Sequence, residues 1–307
     1  MNKKLLSVLV VLLGGFAFIA AALYWGQFGF KAPDSVSHEY KEANKQMQWS
    51  FDGIFGTVDK QSAQRGYKVY KEVCASCHSM DQIAFRNLQG LGLTAAQIKA
   101  LAAEYTVEEI GDDGEMVDRA ALPSDKLPNP YPNTQAAIAA NGAYPPDLSL
   151  MVKARPDGAN YLYSLLTGYN MPIPQYNCAK AKDGKCIKFA KAGNNSANNF
   201  ECIDITHDKK TYEETCVELS EGTYYNPYFP GRALKMRAPV LDGQVDYDDG
   251  TEASVEQMAK DVTNFLQYTA EPEMEERKRM GLKVIIFLTI MTIFFYFAKR
   301  NAWRRVE

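Results

Sequence analysis

The chain has 307 residues, of which 46% are hydrophobic, and a formal net charge of −3. This length provides for one large domain or two small ones, and the hydrophobic fraction is ordinary for a globular protein with a buried core. The slightly acidic balance is not that of a nucleic-acid-binding protein, and it suits a basic protein partner.

The first segment, residues 1–25, predicts export from the cytoplasm. Its apolar run, Leu5 to Trp25, follows two lysines. A short basic start followed by an apolar run is typical of a signal peptide. The small residues Ala20-Ala21-Ala22 offer a cleavage site, and the alternative is that the run is retained as an anchor.

The first predicted helix begins near Ser62, a suitable N-cap residue, and runs to about Val73. It leads directly into Cys74-Ala75-Ser76-Cys77-His78, the attachment signature of a c-type haem. Each thiol can form a thioether to the haem, and the imidazole of His78 then faces the iron as an axial ligand. The alternatives are a thioredoxin-like redox pair, which does not need the histidine, and half of a zinc site, which needs a second ligand pair. The motif and its context favour one covalently bound haem c.

Further helices are predicted along the chain, at Thr94 to Tyr105, Thr134–Asn141, Asn160 to Thr167 and Ser254 to Tyr268. The last has the clearest pattern, with a capping box at Ser254 and Gln257 and an apolar stripe of helical period.

An acidic run separates the first two of these helices. Seven carboxylates lie between Glu104 and Asp118 with no lysine or arginine among them. Such a run predicts a solvated loop, and it is also a candidate docking face for a cationic partner. The proline-rich stretch from Pro123 to Pro132 then predicts irregular structure.

Residues 172–222 are polar and read as an insertion rather than as core. They hold the four cysteines outside the haem motif, an even number that predicts two disulfides in an exported protein. Three pairings exist. The favoured one joins Cys178 to Cys186 and Cys202 to Cys216, because each bond would close a local turn. The alternative is that some of these thiols stay free or bind metal.

Leu282 to Ala298 predicts a single transmembrane helix with basic residues on both flanks. The alternative is a buried core helix. With the export signal, this gives a periplasmic cytochrome domain over 26–271, a juxtamembrane linker over 272–281, the span over 282–298, and a cytoplasmic tail over 299–307. The expected location is the bacterial inner membrane.

The second axial position of the iron decides what a haem does. An open site suits a gas sensor or a haem enzyme, whereas methionine gives a closed, high-potential electron carrier. Met236 lies in an irregular loop before the last exported helix, where small c-type cytochromes place their distal ligand. The weaker alternatives are other methionines and histidines: Met116, Met151, Met171, His38 and His207.

Ordered motifs along the chain resemble the cytochrome c1 family over roughly residues 40–305, apart from the insertion. They are Arg65-Gly66-Tyr67-Lys68-Val69-Tyr70 with Val73–Ser79, Asp113-Gly114-Glu115-Met116, Pro145-Pro146-Asp147-Leu148-Ser149, Ala154-Arg155, Tyr161, Ser164–Tyr169, Tyr225–Gly231, Asp248–Thr251, Ala259–Val262, Ala270–Pro272 and Arg277–Gly281.

This resemblance implies a mostly α, class I cytochrome c fold and a set of site residues. His78 and Met236 match the axial ligands of the iron. Arg155 and Tyr161 match residues that contact the haem propionates; the alternatives are a surface salt bridge for Arg155 and a core aromatic for Tyr161. Pro146 lies in the turn that faces the proximal imidazole, and a carbonyl there could hold the Nδ1 proton of His78.

The resemblance also implies partners. The chain would carry one electron from a Rieske iron–sulfur protein to a soluble or tethered c-type cytochrome, inside a quinol-oxidising bc1 complex that contains cytochrome b and is dimeric. Alone it is an electron carrier; only the complex is an enzyme. The alternative is a haem c subunit of another respiratory oxidase or dehydrogenase.

Overall fold

The computed structural model describes residues 43–111, 113–170 and 221–304, and within 171–220 it describes the backbone of four short strands. The predicted export segment 1–25 lies outside the described residues. The described part is mostly helical, as predicted, and it contains two two-stranded sheets and one four-stranded sheet.

The described residues form the following helices and strands, and the first of these α-helices packs against the sixth. The α-helices are α1 (Lys60–Glu72), α2 (Ala95–Ala103), α3 (Thr134–Asn141), α4 (Met151–Ala154), α5 (Gly158–Thr167), α6 (Val255–Ala270) and α7 (Met274–Trp303). Short 3-10 helices span Cys74–Ser76, Phe85–Leu91 and Gly168–Asn170. The strands are β1 (Thr106–Ile110), β2 (Met116–Ala120), β3 (Tyr176–Lys180), β4 (Cys186–Lys191), β5 (Glu201–Asp204), β6 (Cys216–Val217), β7 (Tyr224–Tyr225) and β8 (Ala233–Leu234).

The crossing of α1 and α6 is the centre of the core. At Gly66 the two backbones approach so closely that a Cβ atom there would lie 2.0 Å from the carbonyl oxygen of Asp261. Phe265 of α6 is fully buried and packs its ring against Tyr67 and Tyr70 of α1, with centroids 5.5 and 5.6 Å away. The close crossing therefore depends on glycine, and aromatic packing on either side of it excludes water.

A buried ion pair reinforces this crossing. Asp261 has no solvent exposure, and its carboxylate accepts hydrogen bonds from the Arg65 guanidinium at 2.9 Å and from the Ser62 hydroxyl at 2.6 Å. Asn264 donates in turn to the Ser62 hydroxyl at 2.8 Å. A buried charge is tolerated only where such partners satisfy it, so the network fixes how α1 and α6 meet.

The start of α1 differs from the prediction. Asp59, rather than Ser62, is its N-cap, and the Asp59 carboxylate accepts from the backbone amides of Gln61 and Ser62. Ser62 lies inside the helix, where its hydroxyl belongs to the buried network. Both residue types suit an N-cap, and the tertiary contact with Asp261 decides between them.

The acidic run is a hairpin rather than the predicted loop. β1 and β2 pair in antiparallel register, and Glu108 lies directly opposite Asp118. Arg119, just after the run, pairs with Glu109 and with Asp125, so part of the negative charge is neutralised. The β-branched residues Thr106, Val107 and Val117 fit the strands, whereas charge alone suggested solvated coil.

The insertion contains a four-stranded sheet in the order β5-β4-β3-β6, which the sequence did not predict. Cys202 lies on β5 and Cys216 on β6, at opposite edges of the sheet. Three strand spacings separate them, or about 14 Å, whereas a disulfide needs Cα atoms within about 7 Å. The cysteine side chains lie outside the described residues, and two disulfides stay a prediction.

The register favours a different pairing from the local one. Cys216 lies opposite Tyr176, two residues from Cys178, and Cys186 lies opposite Asp204, two residues from Cys202. Such diagonal neighbours are about 7–8 Å apart at Cα, which is slightly beyond the limit of about 7 Å but within reach of a small backbone movement. We therefore expect an unreduced proteolytic digest to yield peptides linked Cys178–Cys216 and Cys186–Cys202 in mass spectrometry, and a reduced digest to lack them. Peptides linked Cys178–Cys186 would contradict this expectation.

The predicted juxtamembrane linker is largely helical. α6 ends at Ala270, near Pro272 as predicted, and α7 begins at Met274, so most of residues 272–281 belongs to α7. α7 has 30 residues and is the one helix, among the described residues, that is long and apolar enough to cross a membrane. The residues before the apolar stretch are good helix formers, which explains why the predicted linker and the apolar stretch form one continuous helix.

Candidate haem-binding site

α1 delivers the Cys74–His78 motif at its C-terminal end. The chain leaves the helix through the 3-10 turn Cys74–Ser76, in which the amide of His78 donates to the carbonyl of Cys74 at 2.9 Å. The Ser76 hydroxyl donates to the carbonyl of Val73 at 2.9 Å and closes the turn. Both thiols and the imidazole are thus held on one compact turn at the end of a rigid helix.

The imidazole of His78 has a defined orientation. Its Nδ1 atom lies 2.7 Å from the carbonyl oxygen of Pro146, the contact that the sequence analysis placed in this turn. A carbonyl only accepts hydrogen bonds, so Nδ1 carries the proton and Nε2 keeps its lone pair. Burial lowers the pKa of His78, although the bond to Pro146 and the nearby Asp147 oppose this shift. The neutral imidazole with a free Nε2 is the form that binds iron.

Asp147 holds the proline turn at Pro146 against the segment that follows His78. Sequence reasoning missed this role. Its carboxylate accepts from the Ser79 hydroxyl at 3.0 Å, from the amide of Asp81 at 2.7 Å and from the amide of Ser149 at 2.9 Å. These bonds fix the Pro146 carbonyl against His78. The sequence carried one local signal for this role. An aspartate side chain often accepts a hydrogen bond from the backbone amide two residues later, here that of Ser149, and so forms a turn.

Within the described residues, the thiols fit thioether attachment better than the alternative interpretations of the motif. Burial raises the pKa of Cys74 to about 12. A redox-active cysteine needs a lowered pKa, because the thiolate is the reactive form. A zinc site needs four ligands, and within the described side chains no three histidine, cysteine, aspartate or glutamate residues come together. Two thiols one turn apart with an oriented imidazole fit thioether attachment of a haem.

Met236 lies on a loop that two polar contacts hold against the C-terminal end of α5. The hydroxyl of Tyr169 donates to the carbonyl oxygen of Met236 at 2.9 Å. The fully buried Asn226 donates from Nδ2 to the carbonyl of Leu165 at 2.7 Å and accepts from the amide of Tyr228 at 3.1 Å. Sequence analysis named neither Tyr169 nor Asn226 as a support of this loop, because both contacts form between segments that are distant in the chain.

The other methionines fit a ligand role less well. Met151 and Met258 belong to the buried core, and Met116 is exposed on β2 of the hairpin. Met171, like His38 and His207, lies outside the described residues. Met236 is half-buried. Among the described methionines it is therefore the best candidate for the second axial ligand, which stays a prediction.

Arg155 and Tyr161 lie next to each other. Tyr161 is buried, which raises the pKa of its hydroxyl, and the neighbouring Arg155 guanidinium partly opposes that shift. Arg155 itself is exposed, and it donates to the carbonyl of Ala154 at 3.2 Å. A guanidinium and a hydroxyl at one point suit a carboxylate such as a haem propionate. Their propionate role stays a prediction.

Comparison with known proteins gives the family. The model of the Cytochrome C1 family matches residues 49–306, which is most of the chain. The chain belongs to the cytochrome c1 family. Cytochrome c1 of Rhodospirillum rubrum is 42% identical over 261 residues, covering 84% of this chain and 87% of that protein.

Two further relatives extend the comparison. "Cytochrome c1, heme protein, mitochondrial" of Saccharomyces cerevisiae is 41% identical and covers 84% of this chain and 72% of its own length. "Cytochrome b/c1" of Bradyrhizobium diazoefficiens is 42% identical over 98% of this chain, which corresponds to only 40% of that longer protein. Members of the cytochrome c1 family thus occur in bacteria and mitochondria, and one relative is named for both cytochrome b and cytochrome c1.

Proposed function

We propose that the chain is the c-type cytochrome subunit of a quinol-oxidising bc1 complex. In this role it carries one electron from a Rieske iron–sulfur protein to a soluble or tethered cytochrome c. The observation that carries the proposal is the oriented imidazole of His78, which follows two thiols on one turn in a member of the cytochrome c1 family. No described side chain has to act as a general acid or a nucleophile in this role.

The residues of the site have separate tasks. Cys74 and Cys77 would attach the haem, and His78 and Met236 would bind its iron. Arg155 and Tyr161 bind its propionates. A haem held in this way supplies a one-electron carrier of high potential. Asp147 and the Pro146 carbonyl fix the orientation of the His78 ring and would leave its Nε2 available to the iron, and Tyr169 holds the backbone of Met236 in place.

The proposed location is the bacterial inner membrane, with the domain before α7 in the periplasm. The apolar part of α7, residues 282–298, would cross the bilayer, and the basic residues after it would lie in the cytoplasm. Cytochrome b, the Rieske protein and membrane lipid would then be partners of a dimeric complex. The relative named "Cytochrome b/c1" supports cytochrome b as a neighbour.

Isolation of the native membrane complex through a tag on this chain tests the proposed function. Cytochrome b and a Rieske protein should copurify, and addition of quinol should reduce the haem of the complex. Removal of the Rieske protein should abolish this reduction, while direct chemical reduction remains. Copurification with the subunits of a terminal oxidase or of a dehydrogenase would contradict the proposal. Carbon monoxide binding to the reduced native protein would instead indicate an open iron site.

The proposed role of Arg155 leads to a prediction on redox potential. Arg155→Gln removes a cation beside the propionates, which favours the more positive oxidised haem, so the reduction potential should fall. We expect the reduction potential to fall by roughly 30–60 mV. For a one-electron couple, about 59 mV corresponds to a tenfold change in the equilibrium constant between the oxidised and the reduced haem. Redox titration of the purified complex measures this fall. Lys153→Gln, which removes an exposed cation paired with Glu271 instead, is the matched control.

The acidic hairpin leads to a prediction on association with the electron acceptor. Glu108 and Asp118 oppose each other across β1 and β2, and such a like-charged pair is unfavourable for the hairpin itself. Glu109 and Glu104 are paired with Arg119 and Lys71, so they contribute less to the field. The carboxylates of Glu108 and Asp118 are therefore the better targets for a test of steering.

The double variant Glu108→Gln/Asp118→Asn should slow reduction of a basic cytochrome at low salt. A loss of about 2- to 5-fold is expected, because steering by a charged surface contributes about 10–10³ to association rates. The difference should shrink at physiological salt, where the Debye length is about 8 Å. Stopped-flow rates across a salt series measure it, and Glu273→Gln/Glu276→Gln, at the start of α7, is the charge-matched control. Identical rates for parent and variant at every salt concentration would leave the hairpin without this role.

A further inference from the structure

The loop over residues 50–57 exposes two large apolar side chains at its tip. Phe55 is 80% exposed and Ile54 is 47% exposed. The loop is closed below the tip by a hydrogen bond of 3.0 Å from the amide of Thr57 to the carbonyl of Ser50. Its base is therefore ordered, and the exposure of the tip is a property of a defined turn.

The base of the loop is also tied into the core. Trp49 and Phe51 are buried and stack with ring centroids 5.3 Å apart. The indole nitrogen of Trp49 donates to Asn160 of α5 at 2.8 Å. The large apolar side chains of this stretch thus form two pairs. Trp49 and Phe51 pack inside the domain, whereas Ile54 and Phe55 are exposed.

Helix α7 forms hydrogen bonds to the loop on both sides of its tip. Nζ of Lys278 donates to the carbonyl of Phe51 at 2.6 Å and to the carbonyl of Gly56 at 3.1 Å. One turn earlier, the carboxylate of Glu275 accepts from the amide of Val58 at 3.1 Å. These contacts fix the position of the loop along the axis of α7.

That position coincides with the start of the apolar surface of α7. Lys278 precedes Leu282 by four residues, which is about 6 Å of helix rise. In a chain anchored by α7, the loop therefore lies at the level of the lipid headgroups. Aromatic and aliphatic side chains at this level can enter the interface.

We propose that Ile54 and Phe55 form a membrane-contacting tip that inserts into the lipid interface beside α7. The proposal rests on the proposed membrane anchor. The tip is a pointed pair of side chains rather than a broad face, and a stable protein interface needs roughly 800 Å² from each partner. The exposed cation of Arg279 lies on α7 at the same level and suits lipid phosphates. Two points of contact, the helix and the tip, would then fix the orientation of the domain relative to the bilayer.

Spin labelling of the full haem-loaded chain in its native complex tests this proposal. Phe55→Cys is labelled with a nitroxide and reconstituted into vesicles of phosphatidylcholine with a minor fraction of phosphatidylglycerol. Collision rates with oxygen, which concentrates in lipid, and with a water-soluble nickel chelate then report the surroundings of the label. The parent chain, which lacks the introduced cysteine, is treated with the same label and gives the background signal from the native cysteines.

Two further label sites calibrate the measurement. Met116→Cys lies on the acidic hairpin, far from the start of α7. The hairpin follows Glu104, which pairs with Lys71 at the C-terminal end of α1. The start of α7 lies near the opposite end of α1, where Glu275 contacts Val58, and the length of α1 separates these two contacts by about 20 Å. Phe287→Cys lies in the apolar part of α7. The first control reports water, and the second reports the bilayer.

A label at residue 55 should show an oxygen-to-nickel collision ratio several-fold above that at residue 116, with a depth between the two controls. A ratio equal to that at residue 116, with residue 287 embedded, would overturn the membrane tip while leaving the anchor intact. Low collision rates with both reagents at residue 55 would overturn it in favour of a protein neighbour. An aqueous residue 287 would overturn the anchor and the tip together.

Discussion

Replacement of Met236 by leucine should lower the reduction potential of the haem and open its iron to carbon monoxide. Leucine keeps the size and apolar character of methionine but has no sulfur lone pair to offer the iron. Axial ligands set haem potentials over a range of about 0.8 V, so a fall on the order of 200 mV is expected. Redox titration and carbon monoxide difference spectra of the purified complex measure both effects.

A methionine outside the site provides the control for this substitution. Met116→Leu changes an exposed residue on the hairpin and should leave the potential and the carbon monoxide behaviour as they are in the parent. Retention of the parent potential and of a closed iron in Met236→Leu would show that the second ligand is another residue. Met171 and the two remaining histidines would then be the next residues to replace.

Substitution of Gly66 by alanine should strongly destabilise the domain. The added methyl group would lie 2.0 Å from the carbonyl oxygen of Asp261, so α1 and α6 would have to move apart. Overpacking of a tight core contact usually costs about 1–3 kcal/mol and can cost more. This contact is between two backbones, and we therefore expect a loss on the order of 3 kcal/mol, with a clear fall in Tm. Separation of the helices would also break the hydrogen bonds of Arg65 and Ser62 to Asp261.

A second alanine on the same helix distinguishes packing from helix propensity. Gln61 is exposed in the first turn of α1, and Gln61→Ala should leave Tm nearly unchanged. In an unhindered helix, alanine is favoured over glycine by about 1 kcal/mol. A Gly66→Ala variant as stable as the parent, in thermal unfolding of the haem-loaded protein, would mean that the helices do not meet as closely as described.

Local signals in the sequence predicted the helices with good accuracy. Thr94 caps α2, and Ser254 caps α6 by accepting from the amide of Gln257, because the side-chain oxygen and the amide that it satisfies are close in the chain. The apolar stripe of α6 likewise predicted its buried face. The thiols and the imidazole of the haem motif were predicted for the same reason, since five consecutive residues contain the whole signal.

Contacts between distant segments were beyond such signals. Asp59 replaced Ser62 as the N-cap of α1 because Ser62 has a partner on α6, almost 200 residues away in the chain. The hairpin was predicted as a loop, since its charges hid the strand pattern of its β-branched residues. The hydrogen bond of Tyr169 to Met236 also joins positions 67 residues apart. The sequence thus suggested candidate ligands, but it did not indicate the residues that hold them in place.

Described residues on the two sides of the insertion, Gly168 and Asn226, lie against each other. A Cβ atom on Gly168 would lie 2.7 Å from Oδ1 of Asn226, and Asn226 also bonds to α5. The described residues on the two sides of the segment 171–220 are thus held close to each other. Because doubling the length of a flexible loop costs only about 0.6 kcal/mol, this segment is a site where a short turn or a foreign domain could be grafted without displacing Met236.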